Sequence, residues 1–164
     1  MRTEKQIVKA ANKITGCRVV GKVEDGNVCG IWNVCCDARC LHYDSTFIQL
    51  SATDQDTILY HEVGHLEALK DPNSANTKLY GPNVRPDVWC SSNANDLAFA
   101  AECEADLWAA KQVGVERMLR ILHNPKCIMP ERQQTRVGNL MKVWEKQPRK
   151  IRWLSRFNGV FSRS

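Results

Sequence analysis

Apolar residues recur at intervals of three and four over much of the chain, a spacing typical of amphipathic helices. Residues 3–16 show it first, and there Thr3 is placed to cap a helix that Gly16 ends. The same pattern, bounded by capping residues, glycine or proline, predicts four more helices, over 57–70, 97–113, 115–123 and 131–147. Asn95 or Asp96 is the expected N-cap of the helix at 97–113.

Between the first two predicted helices the pattern changes to that of short strands. Residues 17–34 contain two β-rich runs on either side of Asp25-Gly26, which predicts a hairpin, and residues 46–51 are predicted as a further strand. Residues 35–45 are predicted as an irregular connection. Residues 71–95 are rich in Asn, Pro, Gly and Ser and are predicted as a long surface loop. Strands followed by helices indicate an α+β fold.

The composition is that of a globular domain. Of the 164 residues, 43% are apolar, and no run approaches the roughly 18 apolar residues needed to cross a bilayer. The N-terminal segment mixes charged and apolar residues and has no small-residue cleavage site. It is therefore not expected to be a secretory signal, and the predicted compartment is the cytoplasm.

Charge is distributed unevenly. Residues 1–130 contain 14 basic and 16 acidic side chains, whereas residues 131–164 contain 9 basic and 2 acidic ones. We expect a main domain in 1–130 and a basic, aromatic helical extension in 131–164 that packs on the same domain. Three interpretations of the tail at 142–163 stay open: packing of its aromatic residues on the domain, binding of nucleic acid, or contact with an anionic membrane or a protein partner.

The stretch LYHEVGHLEA, residues 59–68, contains the pattern His-Glu-x-x-His. On a helix, His61 and His65 share one face, so both imidazoles can reach one metal ion. Glu62 can lean over the open side of that metal and take a proton from a metal-bound water. The pattern also occurs by chance. Gly64 is unfavourable in a helix interior; close approach of another backbone would explain it, and plain tolerance is the alternative.

A catalytic zinc needs a third protein ligand, and the helix at 97–113 offers one. Glu102 and Asp106 share a face, so Glu102 can bind the metal while Asp106 hydrogen-bonds the far nitrogen of a ligand histidine. Glu104, about 200° away from Glu102 around the helix, is expected to face elsewhere. Acidic clusters are usually solvated, but this helix is otherwise largely apolar, and buried carboxylates need a partner such as a metal.

With HEVGH at 61–65 and ECEAD at 102–106, the chain resembles the gluzincins, zinc peptidases with a glutamate ligand on a second helix. The second motif is similar to that of thermolysin-like and HtpX-like peptidases. Residues 46–70 resemble the strand, capped helix and motif of the ImmA/IrrE-like small metallopeptidases. The HtpX-like peptidases are membrane-embedded, whereas this chain has no predicted membrane span. Residues 111–130 are only loosely similar to the ImmA/IrrE-like pattern. The subfamily therefore stays open.

The resemblance, which covers roughly residues 44–114, implies a small zincin-like domain. The active-site helix would lie against a short twisted antiparallel or mixed sheet, with the glutamate helix beside it and the C-terminal helices extending or covering this core. The strand at 46–51 would be the edge along which an extended peptide or protein substrate lies. One catalytic Zn²⁺ is implied. The residues that take roles by resemblance are the ligands His61, His65 and Glu102, the general base Glu62 and the supporting Asp106.

Gluzincins also need a donor for the oxyanion of the tetrahedral intermediate. The candidates in this chain are His123, Tyr80, Arg85 and Tyr43, and no spacing rule selects among them. For His123 the alternative is packing at the end of a helix.

The eight cysteines are expected to be free thiols in a reducing compartment. A second, structural zinc at Cys29, Cys35, Cys36 and Cys40, near His42, is a less favoured alternative because the spacing lacks two close pairs. A disulfide in this cluster is the other alternative.

The sequence thus predicts a zinc metalloendopeptidase. The competing prediction is a non-catalytic, zinc-containing protein whose basic tail binds nucleic acid or a protein partner. Glu62 argues against it, because a purely structural zinc site does not need that residue.

Overall fold

Short strands are confined to the first third of the computed structural model, and helices make up the rest of its regular structure in the described residues. In chain order the elements are α1 (Glu4–Thr15), β1 (Val19–Val23), β2 (Cys29–Cys35), β3 (Ala38–Tyr43), α2 (Ser45–Gln49), α3 (Ala52–Ala68), α4 (Ala75–Tyr80), α5 (Ala94–Val113), α6 (Val115–His123) and α7 (Gln133–Glu145). The structure describes residues 2–16, 19–23, 29–35, 38–43, 45–84, 88, 92–123 and 133–146.

Local capping explains where the predicted helices begin and end. The Thr3 side chain accepts a hydrogen bond from the backbone of Gln6, and Gly16 ends α1 with a φ of 66°. α3 begins before the predicted residue 57, because the Ser51 side chain accepts a hydrogen bond from Asp54 N. α5 likewise begins earlier than predicted, with Asn93 at its N-cap. The bounds of α6 are those predicted from the sequence.

The three strands form one small mixed sheet in the order β1-β3-β2. β1 runs parallel to β3, and β2 runs antiparallel to it. The predicted hairpin around Asp25-Gly26 is therefore wrong, since β1 and β2 are not neighbours. The predicted irregular connection at 35–45 is also wrong, because it contains β3, which supplies the pairing edges for both other strands. Residues 24–28 lie outside the described residues.

The α+β fold class predicted from the sequence is wrong, because the described chain is mostly helical. The predicted strand at 46–51 is replaced by α2, and Phe47 within this helix and Leu50 directly after it are both buried. Short apolar runs fit a strand and a helix equally well, and here tertiary burial decides. α3, the helix with the His-Glu-x-x-His motif, packs chiefly against α5 rather than lying on a sheet, although it also contacts β2. No strand at 46–51 is available to bind a peptide.

Two apolar clusters hold the helices together. The first joins α1, β3, α2 and α3, and its buried residues are Ile7, Ala11, Leu41, Tyr43, Phe47, Leu50, Ile58, Leu59, Val63, Leu66 and Ile121. The second joins α5, α6 and α7 through Ala109, Ala110, Val115, Met118, Leu119, Leu122, Leu140 and Trp144. α7, which belongs to the predicted extension 131–164, thus packs on the helices that precede it. The domain boundary near 130 and the role of the tail beyond residue 146 stay predictions.

The predicted loop at 71–95 is wrong in part, because it contains α4. Ser74 caps this short helix by accepting a hydrogen bond from Thr77 N, and Leu79, within the helix, is buried. α4 packs against α5 and α3, so a segment that looked like a surface connection borders the two motif helices. Among the described helices, none combines the length and apolar character needed to cross a membrane.

Gly64 lies at a close backbone contact between α3 and α5. A Cβ placed on Gly64 would stand 2.8 Å from both the Cα and the carbonyl oxygen of Ala105. The close backbone approach expected from the sequence is therefore present, and Gly64 permits it. This contact sets the separation of the two helices that carry the metal-binding motifs.

We predict that Gly64→Ala lowers the free energy of unfolding by about 1–3 kcal/mol, since the added methyl group has no space and the helices must separate. Gly138→Ala on α7 is the matched control, because a Cβ there meets nothing within 4 Å. It should instead stabilise the protein by about 0.5–1 kcal/mol through helix propensity. Urea unfolding in the presence of a chelator measures both; equal stability of the two variants would contradict the packing argument.

Candidate metal centre

His61, His65 and Glu102 converge on one point between α3 and α5. The two Nε2 atoms of the histidines are 3.2 Å apart. Glu102 Oε2 lies 3.3 Å from His61 Nε2, and Glu102 Oε1 lies 3.4 Å from His65 Nε2. Even with one donor atom taken from each residue, the three atoms lie within 4.8 Å of one another. This group can hold a metal ion.

The spacing and exposure of these donors fit a small ion with an open side. Bonds of about 2.0–2.1 Å in a tetrahedral arrangement place neighbouring ligand atoms about 3.4 Å apart, which matches the donor separations described above. His61 is buried, whereas the side chains of His65 and Glu102 are 19% and 25% exposed. Among the described residues, no fourth His, Cys, Asp or Glu joins the group. The described residues thus provide three donors, two of which are partly exposed.

Asn76 on α4 orients His65. Its side-chain nitrogen donates hydrogen bonds to Glu104 Oε2 at 2.9 Å and to the carbonyl of Ala101 at 3.3 Å. Asn76 Oδ1, 2.8 Å from His65 Nδ1, is therefore the acceptor. His65 must carry its proton on Nδ1, which leaves the Nε2 lone pair directed at the metal position.

Glu104 faces away from the metal group, as expected from the helical wheel. Its Oε1 accepts a hydrogen bond from Ala75 N at 2.9 Å, and its Oε2 accepts one from Asn76 N at 3.3 Å. The carboxylate thus compensates the free amides at the start of α4 and fixes Asn76 in place. The spacing of the ECEAD motif did not indicate this role.

Asp106 and Arg136 lie behind His61. Asp106 Oδ1 is 2.9 Å from His61 Nδ1, although the geometry of this contact is not that of a hydrogen bond. Arg136 on α7 holds Asp106 in a two-pronged ion pair, with Nε 2.6 Å from Oδ2 and Nη2 2.7 Å from Oδ1. Its Nη1 also lies 3.1 Å from Glu102 Oε2. Asp106 and Arg136 are both buried.

The carboxylates strongly favour charge on His61 in the metal-free protein. Burial lowers the pKa of His61, but contacts with Asp106 and Glu102 outweigh it and raise the pKa to about 10. Burial raises the pKa of Glu102, but the two histidines outweigh it and hold the pKa far below its usual range. Glu102 Oε2 nevertheless makes no hydrogen bond of acceptable geometry within the described part of the chain. A cation at this position would complete its environment, in competition with a proton on His61.

Glu62 and Tyr80 lie on α3 and α4, the helices that carry the two histidines and Asn76. Glu62 is half-buried on α3, next to His61 in the chain. Tyr80, at the end of α4, is 52% exposed. Burial raises the pKa of Tyr80, and the negative charges of Glu102 and Glu62 raise it further. The phenol therefore stays protonated and can donate a hydrogen bond.

The other candidate donors lie elsewhere. His123 is at the end of α6, where its Nδ1 is 2.7 Å from the carbonyl of Leu119 in the same helix. Tyr43 is buried and packs against Phe47 in the first apolar cluster. Arg85 lies outside the described residues.

The four-cysteine zinc site stays a prediction. Cys29 and Cys35 are the first and last residues of β2, and Cys40 lies in β3. Cys36 lies outside the described residues.

The sequence left Asn76 and Arg136 out of the site. Asn76 lies in a segment predicted as a loop, and Ser74, a good N-cap residue, is the signal that could have indicated a helix there. Arg136 could have been noticed because Arg136, Leu140 and Trp144 lie on one face of α7 and are all buried. A charged residue in an apolar stripe indicates a buried partner, although the stripe does not identify it.

Comparisons with protein families, with curated proteins and with solved structures found no match to this chain.

We predict that Asn76→Ala weakens metal binding about 10- to 100-fold, because His65 loses the acceptor that fixes its tautomer and ring orientation. Ser74→Ala is the control: it removes the cap of the same helix and a hydrogen bond to Ala68 O without touching His65. Dissociation constants from chelator competition measure both. If Ser74→Ala loses as much affinity as Asn76→Ala, the effect belongs to α4 as a whole and not to the amide.

Proposed function

We propose that this protein is a zinc-dependent metallopeptidase of the gluzincin type, similar to the ImmA/IrrE-like small metallopeptidases. The observation that carries the proposal is the convergence of His61, His65 and Glu102 beside Glu62. The two histidines and the glutamate come from separate helices, so neither motif alone explains the grouping. If the His-Glu-x-x-His pattern had arisen by chance, there would be no reason for a carboxylate of α5 to lie beside both histidine Nε2 atoms.

Zinc is the metal that the donor set favours. Two imidazole nitrogens and a carboxylate oxygen, at separations near those of a tetrahedral site, are a combination typical of catalytic zinc. Structural zinc sites in proteins are usually closed by four protein ligands, whereas this group has three and an accessible side. The proposed role is therefore catalytic rather than structural.

A zinc ion bound at this site supplies Lewis acidity, which polarises a substrate carbonyl and makes water easier to deprotonate. The Glu62 carboxylate is proposed to take a proton from the attacking water and to return it to the nitrogen of the leaving amine. His61 and His65 hold their Nε2 lone pairs toward the metal position through Asp106 and Asn76. The Tyr80 hydroxyl is proposed to donate to the carbonyl oxygen as negative charge develops there.

We predict that purified protein binds one zinc per chain, and that His61→Ala and Glu102→Ala lose it or bind it much more weakly. Each variant removes one of the three donors, and two donors do not form a stable site. Elemental analysis after dialysis against a weak chelator measures the zinc content. Two zinc ions in wild type, one of which survives both substitutions, would require a second site; no zinc after metal is added back would refute the proposal.

We predict that Glu62→Gln keeps the bound zinc and reduces peptide hydrolysis at least about 100-fold, since it removes the proton acceptor and leaves the ligands in place. Glu67→Gln on the same helix is the matched control, because the Glu67 side chain forms a surface ion pair with Lys70. Both are assayed by mass spectrometry on a mixture of synthetic peptides of varied sequence. Comparable turnover by Glu62→Gln and wild type would exclude Glu62 as the base.

The non-catalytic alternative makes a different prediction for the same protein. Zinc-loaded wild type would cleave no peptide in the mixture, and the 142–163 tail would bind DNA or RNA with an affinity that falls steeply as salt is added. Cleavage by wild type that depends on Glu62 excludes this alternative.

A further inference from the structure

We propose that Arg136, on the C-terminal helix α7, is a positioning residue of the metal site. It holds the Glu102 carboxylate where it can bind a metal, and it holds the Asp106 carboxylate next to His61. Both are held in these positions before a metal binds. The inference rests on the metal site of the proposed function and not on peptide hydrolysis. It also makes α7 part of the metal centre, although the sequence assigned this segment to an extension.

The contacts of Arg136 are divided between two groups with different roles. Nε and Nη2 bind both oxygens of Asp106, the residue behind His61, and Nη1 faces the oxygen of Glu102 that also faces His61. The planar guanidinium fixes the plane of a carboxylate that it binds with two nitrogens, which an ammonium group cannot do. Arg136 therefore determines which way Asp106 Oδ1 points.

The charges explain why such a residue is needed. Glu102 and Asp106 are one turn apart on the same face of α5, and the Arg136 guanidinium contacts both carboxylates. Two carboxylates on one face of a helix repel each other when a cation does not lie between them. Arg136 provides such a cation from α7.

A simple packing role is the competing explanation, because Arg136 also lies among apolar residues of α7. Leu140, one turn further on the same face, is fully buried in the second apolar cluster. Leu140→Ala therefore disturbs the packing of α7 without removing a contact to the metal site. It separates the two explanations.

The test measures zinc and cobalt dissociation constants of the full-length protein by chelator competition, together with the visible spectrum of the cobalt form. We expect Arg136→Met to weaken zinc binding about 10- to 100-fold and to change the cobalt spectrum. Arg136→Lys keeps the charge but not the two-pronged contact, so we expect an intermediate loss. Leu140→Ala should lower thermal stability and leave the zinc affinity of the folded protein within about twofold of wild type.

A double-mutant cycle tests whether Arg136 acts through Asp106. If it does, Arg136→Met combined with Asp106→Asn loses much less affinity than the product of the two separate losses. Losses that multiply fully would overturn the inference. So would wild-type affinity in Arg136→Met, or an equal loss in Leu140→Ala.

Two further outcomes keep the conclusions separate. If Arg136→Met does not fold, Arg136→Lys decides: weaker zinc binding supports the inference, and wild-type binding overturns it. If wild type binds zinc tightly and no Arg136 variant changes the affinity, the inference fails while the proposed function stands. If wild type binds no zinc, both fail.

Discussion

The close contact between α3 and α5 is the constraint on which the rest of the site depends. Gly64 lies between the two metal-directed histidines in sequence, and its missing side chain lets the backbone of Ala105 approach at a distance that no other residue permits. Because Ala105 lies between Glu102 and Asp106 in the helical sequence, the same contact brings both carboxylates to the histidine face. Packing and chemistry are therefore set by one glycine, and a wider helix separation would move the ligands apart together.

Two helices outside the α3–α5 pair orient the side chains of the site. α4 contributes a neutral amide to His65, and α7 contributes a guanidinium to the carboxylates around His61. Neither Asn76 nor Arg136 belongs to the two motifs, although each contacts residues that do. The orientations of the histidines and carboxylates thus depend on segments that are distant in sequence. A fragment with only the two motif helices would lack these contacts.

The motif residues could be predicted because their geometry is local. His61 and His65, or Glu102 and Asp106, need only helical spacing to share a face, and both stretches are helical. Helix ends at Thr3 and Gly16 could also be predicted, since capping depends on neighbouring residues. The helix α2 could not be predicted, because its residues also fit a strand. The burial of Phe47 against Tyr43 decides between the two local structures. The pairing of β1 with β3, the helix α4 and the role of Arg136 all depend on contacts between distant parts of the chain.

The different partners of the two histidines give the site a built-in order of ligand strength. The Asp106 carboxylate lies behind His61, whereas a neutral amide lies behind His65, and a carboxylate makes an imidazole a stronger electron donor than an amide does. His65 is also the more exposed of the two rings. At the proposed metal site, exchange would therefore begin by release of His65, with the ion held meanwhile by His61 and Glu102, so that α4 would control how quickly an ion is exchanged.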